Sequence, residues 1–384
     1  MPRATAREGP RLNVLVLATK YFGVGGAEAY TRMLAEAVAA NGNRADVLSL
    51  LDGEAAVRAA PGRYLGDQGT RSTPLSQAQF VAQAVRYAPR RDLIVCSHVA
   101  LAPVGHMLRR LYRVPYFVIG YGIDVWGPLG PRRQTALRRA ARVVTLSRFT
   151  ARQVASRHGV PDSKIAVVYP AVDPALLREA AAQPPRAHET VTLLTVARLA
   201  AQERYKGCDT VIAALPAVLA EAGPVNYVIA GDGDDLPRLR GLAAEKNVAA
   251  SVTFAGRAQR AELPALYRGG DVFVMPSVAE ERPGGWTGEG FGIVYIEASA
   301  FGLPVIAGDG GGAPEAVQDG VTGYVVDGRD PGAVAAALIR LVRDPPLRQR
   351  MGAAGRQWVD EQFTFDRFVS DVGAVLDEAV KSVD

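Results

Sequence analysis

The chain holds little with which to build a disulfide scaffold or a metal centre. Its two cysteines, Cys96 and Cys208, among 384 residues are too few to staple a protein of this size. Each falls beside an expected strand or helix, where a reduced thiol packs as a small hydrophobe. The four histidines, His98, His106, His158 and His188, show no paired ligand spacing with them, so no zinc site is expected. No apolar run reaches the roughly 18 residues that a membrane span requires. The opening MPRATAREGPR lacks the apolar core of a secretory signal and reads as a short disordered tail. A cytoplasmic location is the expectation, and no internal repeat of short period appears.

What is present describes a globular protein. Hydrophobic residues make up 48% and charged residues 22%, which argues against disorder. A chain of this length exceeds what one core usually supports, so two domains are expected. Charge divides them. Residues 1–180 carry 25 Lys and Arg against 12 Asp and Glu, a net of +13, while residues 181–384 carry 19 against 27, a net of −8. Arg109, Arg110, Arg113, Arg132, Arg133, Arg138, Arg139 and Arg142 alternate with Leu and Ala, a pattern for a basic amphipathic face suited to anionic lipid or a polyanionic acceptor. Nucleic acid is not an expected partner, because no binding module or aromatic-interleaved basic stretch accompanies the charge.

Short β-branched runs alternate with longer Ala/Leu/Arg segments, the pattern of parallel sheets covered by helices on both faces. Strands are expected near 12–18, 45–50, 92–97, 116–120, 142–147 and 165–169, with the clearest helices at 26–40 and 148–158. The stretch EAAAQPPRAHE, 179–189, reads as a linker. A second series follows near 191–196, 226–231, 251–256, 271–276, 303–308 and 322–326, then helical segments near 331–343, 346–359 and 365–380. The fold class is therefore α/β: two Rossmann-like, doubly wound parallel-sheet domains, 1–180 and 181–363, with a C-terminal helix, 364–384, packing back on the first. Ligands in such sheets bind beyond the carboxyl ends of the strands, so chemistry is sought in the loops there.

The first strand opens into KYFGVGGAEAYTRMLAEAV, where Gly23 and Gly25 start a dinucleotide fingerprint but Glu28 replaces its third glycine. What survives is a loop whose Gly25 and Gly26 let backbone amides approach a phosphate, or a simple tight turn. In the second half, Arg198 and Lys206 follow a strand and can clamp a diphosphate. In GDGDD, Gly231 and Asp232 belong to a tight turn that admits a ligand, with Asp234 and Asp235 near the positive end of a helix. The formal D-x-D there is not taken as a metal site. GEGFGIVYIEA sets Glu289 among glycines in a long flexible loop and Glu297 on a buried helix about two turns, or about 12 Å, further on. Between them the amides of Gly290, Phe291 and Gly292 crown that helix and can receive phosphate oxygens. A carboxylate in an apolar run needs a partner, which gives Glu297 its interest.

Together, GGAE at 25–28, Arg198 with Lys206 before a glycine, GDG at 231–233, GEGFGIVYIEA and GLPVIAGDGGGAPEAVQDGVTG resemble the E-x7-E retaining glycosyltransferases of the GT-B fold, glycosyltransferase family 4. The resemblance implies a second domain that binds a nucleoside-diphosphate sugar, GDP- or UDP-linked, and a first domain that receives a hydroxyl acceptor, lipid-linked, polysaccharide or small glycoside. Carried over by position, Arg198 and Lys206 bind the diphosphate, Glu289 the donor sugar, Glu297 the ribose, and Gly256 with Arg257 the base. Ile293 is counted among the donor-binding residues, and Gly26 approaches the phosphate from the acceptor side. His98, Tyr121 and Asp124 lie on the acceptor side. Two departures stand out: AAQERY lengthens the Arg198 to Lys206 gap, letting Arg204 compete for phosphate, and Tyr121 replaces a histidine common among relatives.

The resemblance implies transfer of a hexose or N-acetylhexosamine, mannose or GlcNAc type, with retention and with no cofactor or metal required. His98, Arg198, Lys206 and Glu289 are the expected catalytic residues. A cell-envelope or polysaccharide pathway at the inner face of the cytoplasmic membrane fits the basic first domain. An epimerase or phosphorylase on the same plan, or a silent sugar-nucleotide-binding protein, are the alternatives. A glycosidase is disfavoured, since about 12 Å exceeds the roughly 5–9.5 Å that paired carboxylates need.

Overall fold

In a computed structural model, residues 12–23, 25–52, 64–65, 72–182, 189–282 and 285–381 are described; His188 and the opening residues lie outside them. β1 (Asn13–Ala18), β2 (Arg44–Ser49), β3 (Leu93–Cys96), β4 (Tyr116–Gly120), β5 (Arg142–Thr145) and β6 (Ile165–Val167) form one sheet in the order β2-β1-β3-β4-β5-β6. Every neighbouring pair in it is parallel. The runs are apolar at successive positions because helices cover both faces; all four residues of β3 and all five of β4 are buried.

The second sheet repeats the design with β7 (Val191–Val196), β8 (Val225–Ala230), β9 (Val252–Gly256), β10 (Val272–Met275), the short pair β11 (Glu280–Arg282) and β12 (Gly285–Thr287), then β13 (Val305–Gly308) and β14 (Gly323–Val326). Its order is β14-β13-β10-β7-β8-β9, with β11 and β12 paired separately. Read from β9, that is the 3-2-1-4-5-6 order of a dinucleotide-type fold, whose direction of winding reverses between its first strand, β7, and its fourth, β10. Observed strands match the sequence expectation to within two residues at each end.

The helices form where capping chemistry allows. Ser147 Oγ accepts from the Thr150 amide at 3.1 Å to open Arg148–His158, and Gly159, φ 63°, closes it. Both cysteines are free and buried.

The chain divides into two compact units, Met1–Pro170 with Asp366–Asp384, and Ala171–Phe365. The C-terminal helix Phe365–Lys381 packs in the first unit through Phe368, whose ring meets Tyr30 edge-to-face at 5.3 Å. Asn41 Nδ2 donates to the Val369 carbonyl at 2.8 Å and Arg142 pairs with Glu378 at 2.9 Å. Two local expectations are corrected. Residues 179–182 are not linker but complete the helix Pro174–Ala182, because Arg268 donates to both the carbonyl and the carboxylate of Glu179. The segment expected as a long flexible loop contains the antiparallel pair β11 and β12, in which Glu281 faces Trp286.

Candidate functional site

In the second unit the loops after β7 and β10 meet at the reversal point. After β7 the chain passes Arg198, makes a tight 3-10 helix over Ala201–Lys206 and enters the helix Cys208–Ala222 through Gly207. The lengthened AAQERY segment is that 3-10 helix, and it brings in a carboxylate. Glu203, only 8% exposed, pairs through Oε1 with Arg198 Nη2 at 2.5 Å and through Oε2 with Lys206 Nζ at 3.0 Å. Two like charges are thereby held side by side, with the Arg198 side chain 69% exposed.

Arg204, the expected competitor for phosphate, is held by a different carboxylate from the one that pairs with Arg198 and Lys206. Its guanidinium pairs with Asp235 at 2.8 Å, and Arg238 binds Asp235 at 2.6 Å and Asp209 at 3.0 Å. These partners hold the Asp235 carboxyl below its usual range, Arg238 first among them. The GDG turn lies against the β7 loop, where a Cβ on Gly231 would run into the Ala197 carbonyl oxygen. Asp232 Oδ1 accepts from the Gly233 amide at 2.9 Å, and Asp234 Oδ1 from the Ala201 amide at 2.7 Å. Among the described residues, no group of three or more His, Cys, Asp or Glu stands where it could hold a metal ion.

After β10 and the hairpin comes Glu289, whose carbonyl accepts from the Gly312 amide at 2.8 Å. Burial pushes its carboxyl pKa up, while Lys206 and, more weakly, Arg198 pull it down against the opposing charge of Glu203. Glu289 thus shares one electrostatic cluster with the cations of the β7 loop. The helix begins later than expected, at Ile293, so Glu297 is its fifth residue and lies one turn in. Gly292, φ 88°, is the residue before it, and no side chain caps the helix start; a Cβ there would strike the Tyr295 ring. Phe291 is 1% exposed and packs on Phe363 at 5.6 Å. Tyr295 Oη donates to the Met275 carbonyl at 2.8 Å and lies 2.9 Å from Ser277 Oγ, fixing the helix to the end of β10.

Glu297 Oε2 accepts from Tyr267 Oη at 2.7 Å. Burial raises its pKa; the Tyr267 hydrogen bond and then Arg260 oppose the rise. Gly256 ends β9 with φ 75° and Arg257 is exposed just beyond it.

The first unit has a reversal point of its own, between β1 and β3. The loop after β1 is pinned by Asp52, which accepts from the amides of Tyr21 at 2.7 Å and Phe22 at 2.9 Å. Gly25 precedes the helix Gly26–Ala40, and the Glu28 side chain folds back over Gly23 and Gly25. After β3, His98 Nδ1 accepts from the Ala100 amide at 3.0 Å. The neutral ring therefore carries its proton on Nε2, which lies 3.8 Å from Asp124 Oδ2. Asp124 Oδ1 accepts from the amides of Tyr121 at 2.9 Å and Gly122 at 2.8 Å. Its buried Oδ2 has no hydrogen-bond partner among the described residues. Burial lifts the Asp124 carboxyl to about 7 in spite of those amides. The His98 pKa is lowered by burial and then by Arg133, with Glu28 opposing. Tyr121 Oη lies 2.9 Å from Thr31 Oγ1, and since Thr31 donates to the Ala27 carbonyl, the phenol is the donor.

Within each unit, then, the residues singled out from sequence gather at the carboxyl edge of the sheet. Three partners escaped that reading: Glu203, Tyr267 and Thr31. A charged residue in a loop and hydroxyls inside amphipathic helices carry no periodic signal, so only folded geometry reveals them.

A pair of Rossmann-type sheets whose second member gathers cations, a buried acid and an open helix start at its reversal point defines the class of nucleotide-sugar transferases. The family model described as Glycosyltransferase Family 4 matches residues 24–176, and the model for Glycosyl transferases group 1 matches residues 178–358. The chain belongs to this family of group 1 glycosyltransferases and is a hexosyltransferase. A GDP-mannose-dependent alpha-(1-6)-phosphatidylinositol monomannoside mannosyltransferase of Mycobacterium tuberculosis is 39% identical over 299 residues, 75% of this chain and 72% of the relative. A D-inositol 3-phosphate glycosyltransferase of Thermobifida fusca is 32% identical over 269 residues, 66% of this chain and 59% of the relative. Among solved structures, a glycosyltransferase from Rickettsia africae aligns with a TM-score of 0.80 at 16% identity, covering 96% of this chain and 99% of that one. Anabaena HepE in complex with UDP and glucose gives 0.74 at 20% identity, covering 96% and 100%. At such identities these two speak for the fold.

Proposed function

We propose that the enzyme transfers mannose from GDP-mannose, with retention, to a phosphatidylinositol-type glycolipid acceptor at the inner face of the cytoplasmic membrane. The observation that carries the reading is the joint cluster of Arg198, Lys206, Glu203 and Glu289 beside an uncapped helix start. The choice of mannose and of acceptor class is supported by the mycobacterial relative at 39% identity. Breaking the anomeric carbon to phosphate bond puts negative charge on the departing diphosphate and positive charge on the sugar. Arg198, Lys206 and the amides of Gly290, Phe291, Gly292 and Ile293 answer the first, an electrostatic contribution worth about 3–4 kcal/mol per well-placed donor. The reading needs no metal for that task, because these groups supply the positive charge themselves. Glu289 holds the sugar hydroxyls and Glu297 the ribose, while Gly231 and Asp232 leave room for the nucleotide and Gly256 and Arg257 meet the base. A leaving phosphate oxygen takes the acceptor proton. His98 and Asp124 offer a donor and an acceptor to the incoming hydroxyl, with Tyr121 and Gly25 lining the same edge.

A membrane contact is supported by the end of the helix Ala102–Tyr112. Leu111, 58% exposed, and Tyr112, 36% exposed, stand between the exposed Arg110 and Arg113, an apolar tip within a basic collar. Among the described residues, no helix is long and apolar enough to cross a membrane.

The test is transfer of radiolabelled mannose from GDP-mannose to phosphatidylinositol monomannoside in vesicles, with UDP-glucose and UDP-GlcNAc as competing donors and NMR of the new anomeric centre. Acceptor-dependent transfer with an α product supports the reading. Release of free mannose alone, or turnover with the UDP-sugars in preference, overturns it.

A further inference from the structure

Glu297 is half spoken for before any ligand arrives. One of its oxygens, Oε2, receives the Tyr267 hydroxyl at 2.7 Å, and the phenol cannot swing aside. Tyr267 is 0% exposed. Its ring stacks on Phe301 at 5.3 Å and 27°, immediately beyond the helix that bears Glu297, and sits 6.3 Å from Phe273 of β10. Burial, and then the charge of Glu297, keep the phenol protonated, so it acts only as a donor here. That bond orients the carboxylate and leaves Oε1 as its uncommitted oxygen.

We propose that Tyr267 is a positioning residue that makes Glu297 a selective reader of the nucleotide's ribose, so that the site distinguishes a ribonucleotide from its deoxy counterpart. The inference rests on reading Glu297 as the partner of the ribose hydroxyls and adds what gives that contact its selectivity. A freely rotating carboxylate adapts to a missing hydroxyl by turning to water. A carboxylate pinned on one side cannot, and a deoxy ligand leaves Oε1 desolvated and unpaired, which is how a polar site rejects an analogue lacking a hydroxyl.

The experiment measures dissociation constants of GDP and UDP, and of their 2′,3′-dideoxy counterparts, on the full chain by calorimetry. The ratio for the tighter-binding base is followed through four variants. The wild type should favour the ribose form by on the order of 100-fold. Glu297→Ala brings the ratio close to one. Tyr267→Phe cuts it to about tenfold while affinity for the dideoxy form is unchanged, and in a Glu297→Ala background the same substitution changes nothing. Glu297→Gln is a second arm that keeps the packing: the phenol takes the amide oxygen and turns the NH2 group toward the ligand, so the ratio falls toward that of Glu297→Ala. Equal weakening of both forms by Tyr267→Phe would reduce Tyr267 to a packing residue and overturn the inference, as would a wild-type ratio in Glu297→Gln. A wild-type ratio in Glu297→Ala would instead overturn the ribose reading beneath it.

Discussion

Lys206 and Arg198 owe their proximity to Glu203, since two cations otherwise repel. Removing Lys206 by substitution to Ala should lower kcat/KM for the donor by about 10²–10³-fold with the fold intact, as steady-state kinetics and circular dichroism would show. Glu203→Gln keeps the shape but removes the counter-charge. Its melting temperature should fall, and GDP should restore more of it than it adds to the wild type, because a diphosphate replaces the lost negative charge. Equal thermal shifts in the two proteins would contradict this. Asp124 makes a prediction about pH. Its carboxyl titrates near 7 in the folded protein against an ordinary 3.8, so between those values the folded state holds a proton that the unfolded chain has lost. Stability should therefore decline as pH rises from about 4 to about 7 and level off above. Melting curves of Asp124→Asn across that range should lack this limb. Arg198, Lys206, Glu289 and Glu297 could be singled out as candidates from the sequence because each stands close to a strand end or a glycine. Glu203 and Tyr267 could not, because their importance lies in what they touch.

At the scale of elements, the sequence is informative wherever burial imposes a period. The buried strands and the helices Gly26–Ala40 and Arg148–His158 fall where the apolar pattern places them. Errors came where the pattern is weak. Composition made a linker of the end of Pro174–Ala182, which long-range partners on Arg268 hold in place, and glycines concealed the short pairing of β11 with β12. The start of Ile293–Ala300 was read too early because Phe291 is as apolar as a helical residue, although its neighbour Gly292 takes φ 88°. That conformation suits glycine, and the helix start it creates is where diphosphate oxygens are proposed to bind. Gly292→Ala should thus cost stability through both the backbone and the Tyr295 ring, and should weaken GDP binding at least tenfold, about 1.4 kcal/mol, in calorimetry at a temperature where the variant is folded. Unchanged affinity in a folded variant would remove the helix start from the site.

Across the whole molecule, charge is the property that most divides the chain. From 102 to 161 there are 11 arginines and one acid, Asp124. Binding to vesicles containing anionic phosphatidylinositol should accordingly weaken steeply between low and physiological salt and be absent on neutral phosphatidylcholine. Replacing Arg110 and Arg113 by Glu should reduce it at least tenfold while GDP affinity stays constant; co-sedimentation and calorimetry read the two separately. The two-domain α/β plan was legible from alternation of strands and helices, and the family from motifs in the second half. The identity of the acceptor was not, because the basic residues of the first half suit an anionic partner without forming a motif that specifies one. The most direct measurement of the central claim is a crystal structure of the chain with GDP-mannose bound. The account predicts the diphosphate between Arg198, Lys206 and the amides of Gly290 to Ile293, with the ribose on Glu297 and mannose at Glu289. Phosphates found away from both cations, or a ribose on another residue, would contradict it.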